Sequence, residues 1–150
     1  PADLTGLISR YRRARGAAGH DPASGVVTLV AHAYVGDDDG VVRELVREPM
    51  TGYLKTYMKQ FQGMSLAATA DADRDARDVA AIAFERYFET STLLGTQNKC
   101  ARVVDAVAAC GADEVACLID FGLDPDTVLA ALPRLAELRE HYARARAGES

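Results

Sequence analysis

The strongest constraint on the fold is an apolar, β-branched run from Val26 to Val35, which is bounded by Gly25 and Gly36. This composition predicts a β-strand. Because the side chains of a strand alternate between its two faces, His32 lies on the same face as Tyr34, and the opposite face is wholly apolar. We therefore expect the apolar face to pack under helices and the polar end of the other face to approach a ligand.

Two further extended segments follow, and helical segments long enough for crossover connections separate them. The first runs from Ser91 to Gly95, and the second runs from Val115 to Ile119 and ends at Asp120. Strands that alternate with helices in this way predict an α/β fold with a buried parallel sheet. Because the carboxyl ends of parallel strands lie together, we expect His32 and Asp120 at the same end of the sheet.

Prolines, glycines and small polar residues divide the helical segments. Pro49 with Gly52, and later Pro133, are expected to interrupt or kink their helices. Residues 63–78 are rich in Ala, Asp, Arg, Ser and Thr, and they predict a flexible insertion. Thr96 is placed to cap the helix that follows it, although the free amides at that helix start could instead hold a phosphate.

Composition narrows the classes of function for this chain, whose length is that of one domain. Basic residues number 17 and acidic residues 22, and the net charge of −5 predicts no nucleic-acid partner. The apolar runs are too short to span a bilayer, so we expect no membrane partner and a soluble, cytoplasmic protein. Cys100, Cys110 and Cys117 lack metal-ligand spacing and predict buried thiols rather than a metal site or a disulfide framework.

Two features have both a structural and a functional interpretation. A lone histidine in a strand is usually a satisfied structural residue, but His32 lies at the polar end of its face, where ligands bind. Tyr53, Tyr57 and Phe61 form an aromatic stripe at helical spacing. Such a stripe is more typical of a core or a subunit interface than of a substrate pocket.

Several segments occur together in the order found in one protein family: residues 26–38, Arg47 to Pro49 with Tyr53 and Leu54, Phe84 to Ser91, Leu94 to Thr96, Gly111 to Ala116, Leu118 to Gly122, and Val128 to Pro133. They resemble the luciferase-like, flavin-dependent monooxygenases, in the branch associated with non-ribosomal peptide and polyketide biosynthesis. The resemblance extends from about Leu4 to Leu138. No single motif identifies the family, but the ordered set is fairly specific.

This resemblance implies an α/β fold that is the C-terminal portion of a (β/α)8 TIM barrel of the bacterial luciferase-like type, with residues 1–150 supplying about strands six to eight. It implies an oxidoreductase that oxidises a natural-product intermediate with O2, the substrate being a small molecule or tethered to a carrier protein. The implied cofactor is FMN, reduced by a separate reductase, and the residues that bind it stay unassigned. His32 matches a histidine that some members of the family have on the sixth strand, facing the flavin and substrate pocket. Asp120 and Phe121 match the end of the eighth strand, at the mouth of the barrel. His32 and Asp120 are the expected catalytic residues.

The same resemblance sets the expected partners. The family's N-terminal half-barrel has no counterpart in this sequence, so we expect activity to require that missing half or self-association. The alternative is a non-catalytic interaction or structural module derived from half of such a barrel. Absence of flavin binding, together with stable self-association, would distinguish the module from the enzyme.

Overall fold

The structure, a computed structural model, describes residues 2–62 and 70–147. Within these residues three parallel strands alternate with helices, which confirms the predicted α/β class with parallel strands. A short 3-10 turn, Pro22–Ser24, precedes the first strand. In chain order the elements are α1 (Ala2–Ala17), β1 (Thr28–Gly36), α2 (Asp39–Gln62), α3 (Ala70–Thr90), β2 (Leu93–Thr96), α4 (Gln97–Ala109), β3 (Glu114–Leu118) and α5 (Pro125–Ala147).

The three strands form a sheet in the order β2-β1-β3, with the longest strand in the centre. The first half of β1 pairs with β3, from Thr28 to His32, and the second half pairs with β2, from Ala33 to Gly36. Successive strands of a barrel pair in chain order, which would place β2 between β1 and β3. The observed order therefore differs from that expected for strands six to eight. Because β2 has only four residues, it pairs with only half of β1.

Helices cover both faces of the central strand. The apolar face of β1 packs against α4 and α5, as predicted, whereas the face that carries His32 packs against α2 and α3. In a barrel the helices lie only on the outside, so the face expected to line the interior is covered here by the chain's own helices. The apolar sides of α2 and α3 must be buried, and this face of the sheet buries them. The buried residues of this layer are Val42, Val46, Met50, Phe84, Phe88, Leu94 and Phe121.

The helices are longer and more continuous than the sequence pattern predicts. Pro49 lies inside α2, and Pro133 lies inside α5, and neither divides its helix. In α2, Val46 and Met50 are fully buried on either side of the proline, and their packing holds the helix together. The predicted insertion at residues 63–78 is also helical from Ala70 onward, and residues 63–69 lie outside the described part of the chain.

The last strand is an edge strand, which corrects the prediction of a buried strand from Val115 to Ile119. It begins at Glu114 and ends at Leu118, and its central residues Ala116 and Cys117 are exposed. Within the described residues β3 pairs only with β1, so its other edge has no strand beside it. No helix within residues 2–62 and 70–147 has the length and apolar character needed to cross a membrane.

Candidate functional site

His32 lies in the middle of the sheet, on the face covered by α2 and α3. It is the fifth residue of β1 and is only 7% exposed. Its backbone pairs with Leu118, the last residue of β3. The alternation of β1 places the neighbouring Ala31 and Ala33 on the opposite face, where both are buried. The strand therefore buries a polar ring among apolar side chains, where each ring nitrogen requires a hydrogen-bond partner.

Among the described residues, a hydrogen-bond partner is found for one ring nitrogen of His32. The Nδ1 atom lies 2.9 Å from the hydroxyl oxygen of Tyr87, which is in α3. The Nε2 atom is buried and has no hydrogen-bond partner in the part of the chain that the structure describes. A buried polar atom without a partner costs about 1–3 kcal/mol, so a bound molecule that forms a hydrogen bond with Nε2 would stabilise this site.

Aromatic rings from three elements surround the imidazole. The ring centroids of Tyr53, in α2, and of Phe121, after β3, lie 4.6 and 5.6 Å from that of His32, both in edge contacts. The ring of Tyr87 is 5.7 Å away and is also edge-on. We call His32, Tyr53, Tyr87 and Phe121 the His32 cluster. Tyr53 in turn stacks on Tyr57, at 6.4 Å between centroids, and extends the aromatic surface along α2.

Burial fixes the protonation states of the two hydrogen-bonded residues. It lowers the pKa of His32, because an imidazolium ion is poorly solvated in this environment. It also raises the pKa of the Tyr87 hydroxyl, and the neighbouring Tyr53 and Tyr57 raise it further. Near neutral pH the cluster therefore holds a neutral imidazole and a protonated phenol.

Ion pairs hold the two helices that carry Tyr53 and Tyr87. Arg47 of α2 pairs with Glu85 of α3, and Arg43 of α2 pairs with both Glu85 and Glu89. The same guanidinium groups lie over buried aromatic rings of α3, with Arg47 5.3 Å from the ring centroid of Phe84. These surface contacts lie beside the buried apolar side chains that pack α2 on α3, and that packing sets the positions of both tyrosines relative to His32.

Asp120 lies near the cluster but is not part of it. It follows β3 by two residues, its residue surface is exposed, and its carboxylate has no hydrogen-bond or ion-pair partner within the described residues. The adjacent Phe121 is 3% exposed and contributes the ring that contacts His32. The end of β3 therefore lies beside His32, which is in the middle of β1 and not at its carboxyl end, and the contact comes from the phenylalanine and not from the carboxylate.

The start of α4 uses its free amides within the chain. Thr96 caps the helix through its hydroxyl oxygen, which accepts a hydrogen bond of 3.3 Å from the Lys99 amide. The Thr96 amide donates to the Asp39 carboxylate at 2.6 Å. That carboxylate occupies the place of a phosphate and would repel one, so the capping interpretation of Thr96 is confirmed.

Lys99 is a buried cation that the sequence analysis missed. It is 6% exposed, and its ammonium group has no hydrogen-bond partner among the described residues. The Nζ atom lies 3.1 Å from the ring centroid of Phe88, in a cation–π contact. Burial lowers the pKa of Lys99, while the carboxylates of Glu89 and Asp39 act in the opposite direction.

Two cavities flank the sheet, and one of them reaches the His32 cluster. A cavity of about 630 Å³ is lined by Tyr87, Lys99 and Arg102, together with the hydroxyl-bearing Thr90 and Ser91. A second cavity, of about 890 Å³, lies against α4, α5 and β3 and touches no residue of the cluster. The first cavity therefore borders the candidate site at Tyr87.

Tyr87 is the other residue of the site that sequence reasoning did not single out. A signal for it exists in the helical spacing, because Phe84, Tyr87 and Phe88 share one face of α3. Two of these three side chains are fully buried in the core.

Comparison with known proteins finds no family model and no curated protein that matches this chain.

Proposed function

We propose that this chain forms part of a luciferase-like, flavin-dependent monooxygenase that oxidises a natural-product intermediate with O2. The observation that carries the proposal is the buried Nε2 atom of His32, which lies among aromatic rings without a hydrogen-bond partner in the described residues. A ligand with a polar atom beside that nitrogen would satisfy it. The ordered resemblance along the chain supports a flavin-dependent reaction as the chemistry.

The aromatic side chains near His32 are of the kind that contact planar cofactors. The stacked pair Tyr53 and Tyr57 offers an aromatic surface, and His32 offers a hydrogen-bonding nitrogen beside it. Bound reduced FMN would supply the activation of O2, and a separate reductase would supply the reduced flavin. The chain's own residues would orient the reacting groups and exclude water from them. The substrate class is a small molecule or a carrier-tethered intermediate.

A complete enzyme of this kind needs further strands, because the three strands of the described residues cannot close a barrel. In the proposed enzyme they come from other residues of the same polypeptide or from a partner. The barrel architecture also requires β2 to lie between β1 and β3. A structure of the complete enzyme that retains the order β2-β1-β3 would refute the barrel and leave the flavin chemistry to be judged by activity.

The second candidate is a non-catalytic interaction module. The outer edge of β3 favours it, because within residues 2–62 and 70–147 no strand pairs with this edge, Ala116 and Cys117 are exposed, and an open strand edge can pair with another strand. The two candidates differ in two measurable properties. Calorimetric titration with FMN and sedimentation of the protein would separate an enzyme that binds flavin from a module that only self-associates.

The test of the enzyme is a substitution at His32 in the natural polypeptide that contains these residues. With reduced FMN and O2 supplied, His32→Ala should lower turnover per folded molecule by about 10²-fold or more if the imidazole acts on the reacting atoms. His20, which is exposed in the turn before β1, provides the matched control, and His20→Ala should leave turnover unchanged.

Asp120→Ala tests the second expected catalytic residue in the same assay. A loss of turnover without a change in melting temperature would support a role for the carboxylate at the rim of the site.

Normal turnover in His32→Ala would remove His32 from the site and refute the proposal.

A further inference from the structure

We infer that Tyr87 is a positioning residue that holds His32 in the tautomer with the proton on Nε2, so that the ring donates a hydrogen bond to an oxygen atom of the bound molecule. The role of this proton in catalysis rests on the proposed function. The tautomer itself is a property of the chain and can be measured without a ligand.

The direction of the hydrogen bond between Tyr87 and His32 follows from the chemistry of the two groups. A phenol is a better donor than acceptor, and an unprotonated imidazole nitrogen is a stronger acceptor than a phenol oxygen. The Tyr87 hydroxyl has no other acceptor in the described part of the chain, and it lies 2.9 Å from Nδ1. The hydroxyl therefore donates to Nδ1. In a neutral ring, the proton is then on Nε2.

The surroundings of the ring agree with this assignment. Within the described residues the aromatic rings that contact it are those of Tyr53, Tyr87 and Phe121, from α2, α3 and the segment after β3. A histidine that acts as a general base is usually oriented by an acceptor, often a carboxylate, that binds the proton on its other nitrogen. In His32 the partner of the other nitrogen, Nδ1, is a donor, the Tyr87 hydroxyl. Nε2 therefore carries a proton to donate and has no lone pair for use as a base.

The ring has little freedom to reverse its orientation. Edge contacts at 4.6 and 5.6 Å hold it between Tyr53 and Phe121, and a flip would also break the hydrogen bond to Tyr87. The Nε2–H group is buried without an acceptor in the described residues. The ligand that would satisfy it presents a hydrogen-bond acceptor, such as a carbonyl oxygen or an oxyanion.

Nitrogen-15 NMR of histidine-labelled protein measures the tautomer directly. In the wild-type protein we expect an unprotonated Nδ1 and a protonated Nε2 for His32. In Tyr87→Phe, which keeps the ring and removes the hydroxyl, we expect a mixture of tautomers. Tyr53→Phe is the matched control, since Tyr53 makes a ring contact with His32, and it should leave the tautomer unchanged. A protonated Nδ1 in the wild-type protein, or an unchanged tautomer in Tyr87→Phe, would overturn the inference.

Measuring turnover of variants of the natural polypeptide tests whether Nε2 of His32 acts as a hydrogen-bond donor or as a general base. Tyr87→Phe should lower kcat on the order of tenfold with little change in KM, as expected for a residue that acts through another. His32→Gln, whose amide can still donate, should retain on the order of tenfold more activity than His32→Ala. Equal loss in the glutamine and alanine variants would refute the donor role. Failure of the polypeptide to bind FMN would instead refute the proposed function, while the NMR result would still decide the tautomer.

Discussion

Substitution of Gly95, the third residue of β2, tests most directly the contacts that Asp39 and Lys99 make at the start of α4. Its φ of +138° lies in a region that residues with a side chain rarely adopt. A Cβ at this position would lie 2.5 Å from the Asp39 carboxylate oxygen and 2.8 Å from Cδ of Lys99. Gly95→Ala would therefore strain the backbone by about 1–3 kcal/mol. It would also displace the carboxylate that accepts from the Thr96 amide, a charged hydrogen bond that contributes about 1.5–3 kcal/mol.

We expect Gly95→Ala to lower the free energy of unfolding by about 3–5 kcal/mol, a large part of the stability of a domain this size. Urea unfolding followed by circular dichroism measures this as a lower midpoint with an unchanged slope. Gly52 is the matched control, because it lies within α2 and a Cβ added there would have no atom within 4 Å. Gly52→Ala should stabilise the protein by about 0.5–1 kcal/mol. Equal midpoints for the two variants would show that the contacts of Gly95 with Asp39 and Lys99 are wrong.

Two further predictions concern pH and thiol reactivity. Because burial lowers the pKa of His32, the unfolded chain binds a proton there that the folded chain does not, and the free energy of unfolding should fall as the pH drops below about 6.5. The urea midpoint should therefore fall between neutral and mildly acidic pH in the wild type, and it should fall less in His32→Gln. Cys100 is fully buried and burial raises its pKa to about 12, so iodoacetamide should label it only after unfolding, as read by mass spectrometry. Cys117 is exposed, but partial desolvation raises its pKa too, so it should be labelled in the native protein more slowly than a free thiol. Native labelling of Cys100 would contradict its placement in the core.

The features that depend on neighbouring residues could be predicted from the sequence. Alternation along β1 gives the correct faces for His32 and for the apolar residues, because the period of a strand is fixed by its backbone. The cap at Thr96 is equally local, since its partner, the Lys99 amide, is three residues away. The parallel arrangement followed from the alternation of strands with helices, and the pairing of β1 with β3 confirms it.

The features that depend on distant contacts could not be predicted in this way. An apolar run does not specify its neighbour, so the order β2-β1-β3 was not evident from the strands alone. Tyr87 lies 55 residues from His32 along the chain, and only the packing of α3 on the sheet brings them together. The position of the end of β3 also determines which side chain belongs to the cluster. The strand ends at Leu118, and in the segment that follows Phe121 is buried and Asp120 is not.

The most direct test of the proposed chemistry does not require the substrate. The natural polypeptide is loaded with reduced FMN without oxygen and then mixed with O2 in a stopped-flow instrument, and the flavin spectrum reports its reoxidation. We expect saturable binding of the flavin and a reoxidation rate that changes about tenfold or more in His32→Ala, with His20→Ala matching the wild type. A polypeptide that binds no reduced FMN, or equal rates in all three proteins, would contradict a role for His32 at a bound flavin.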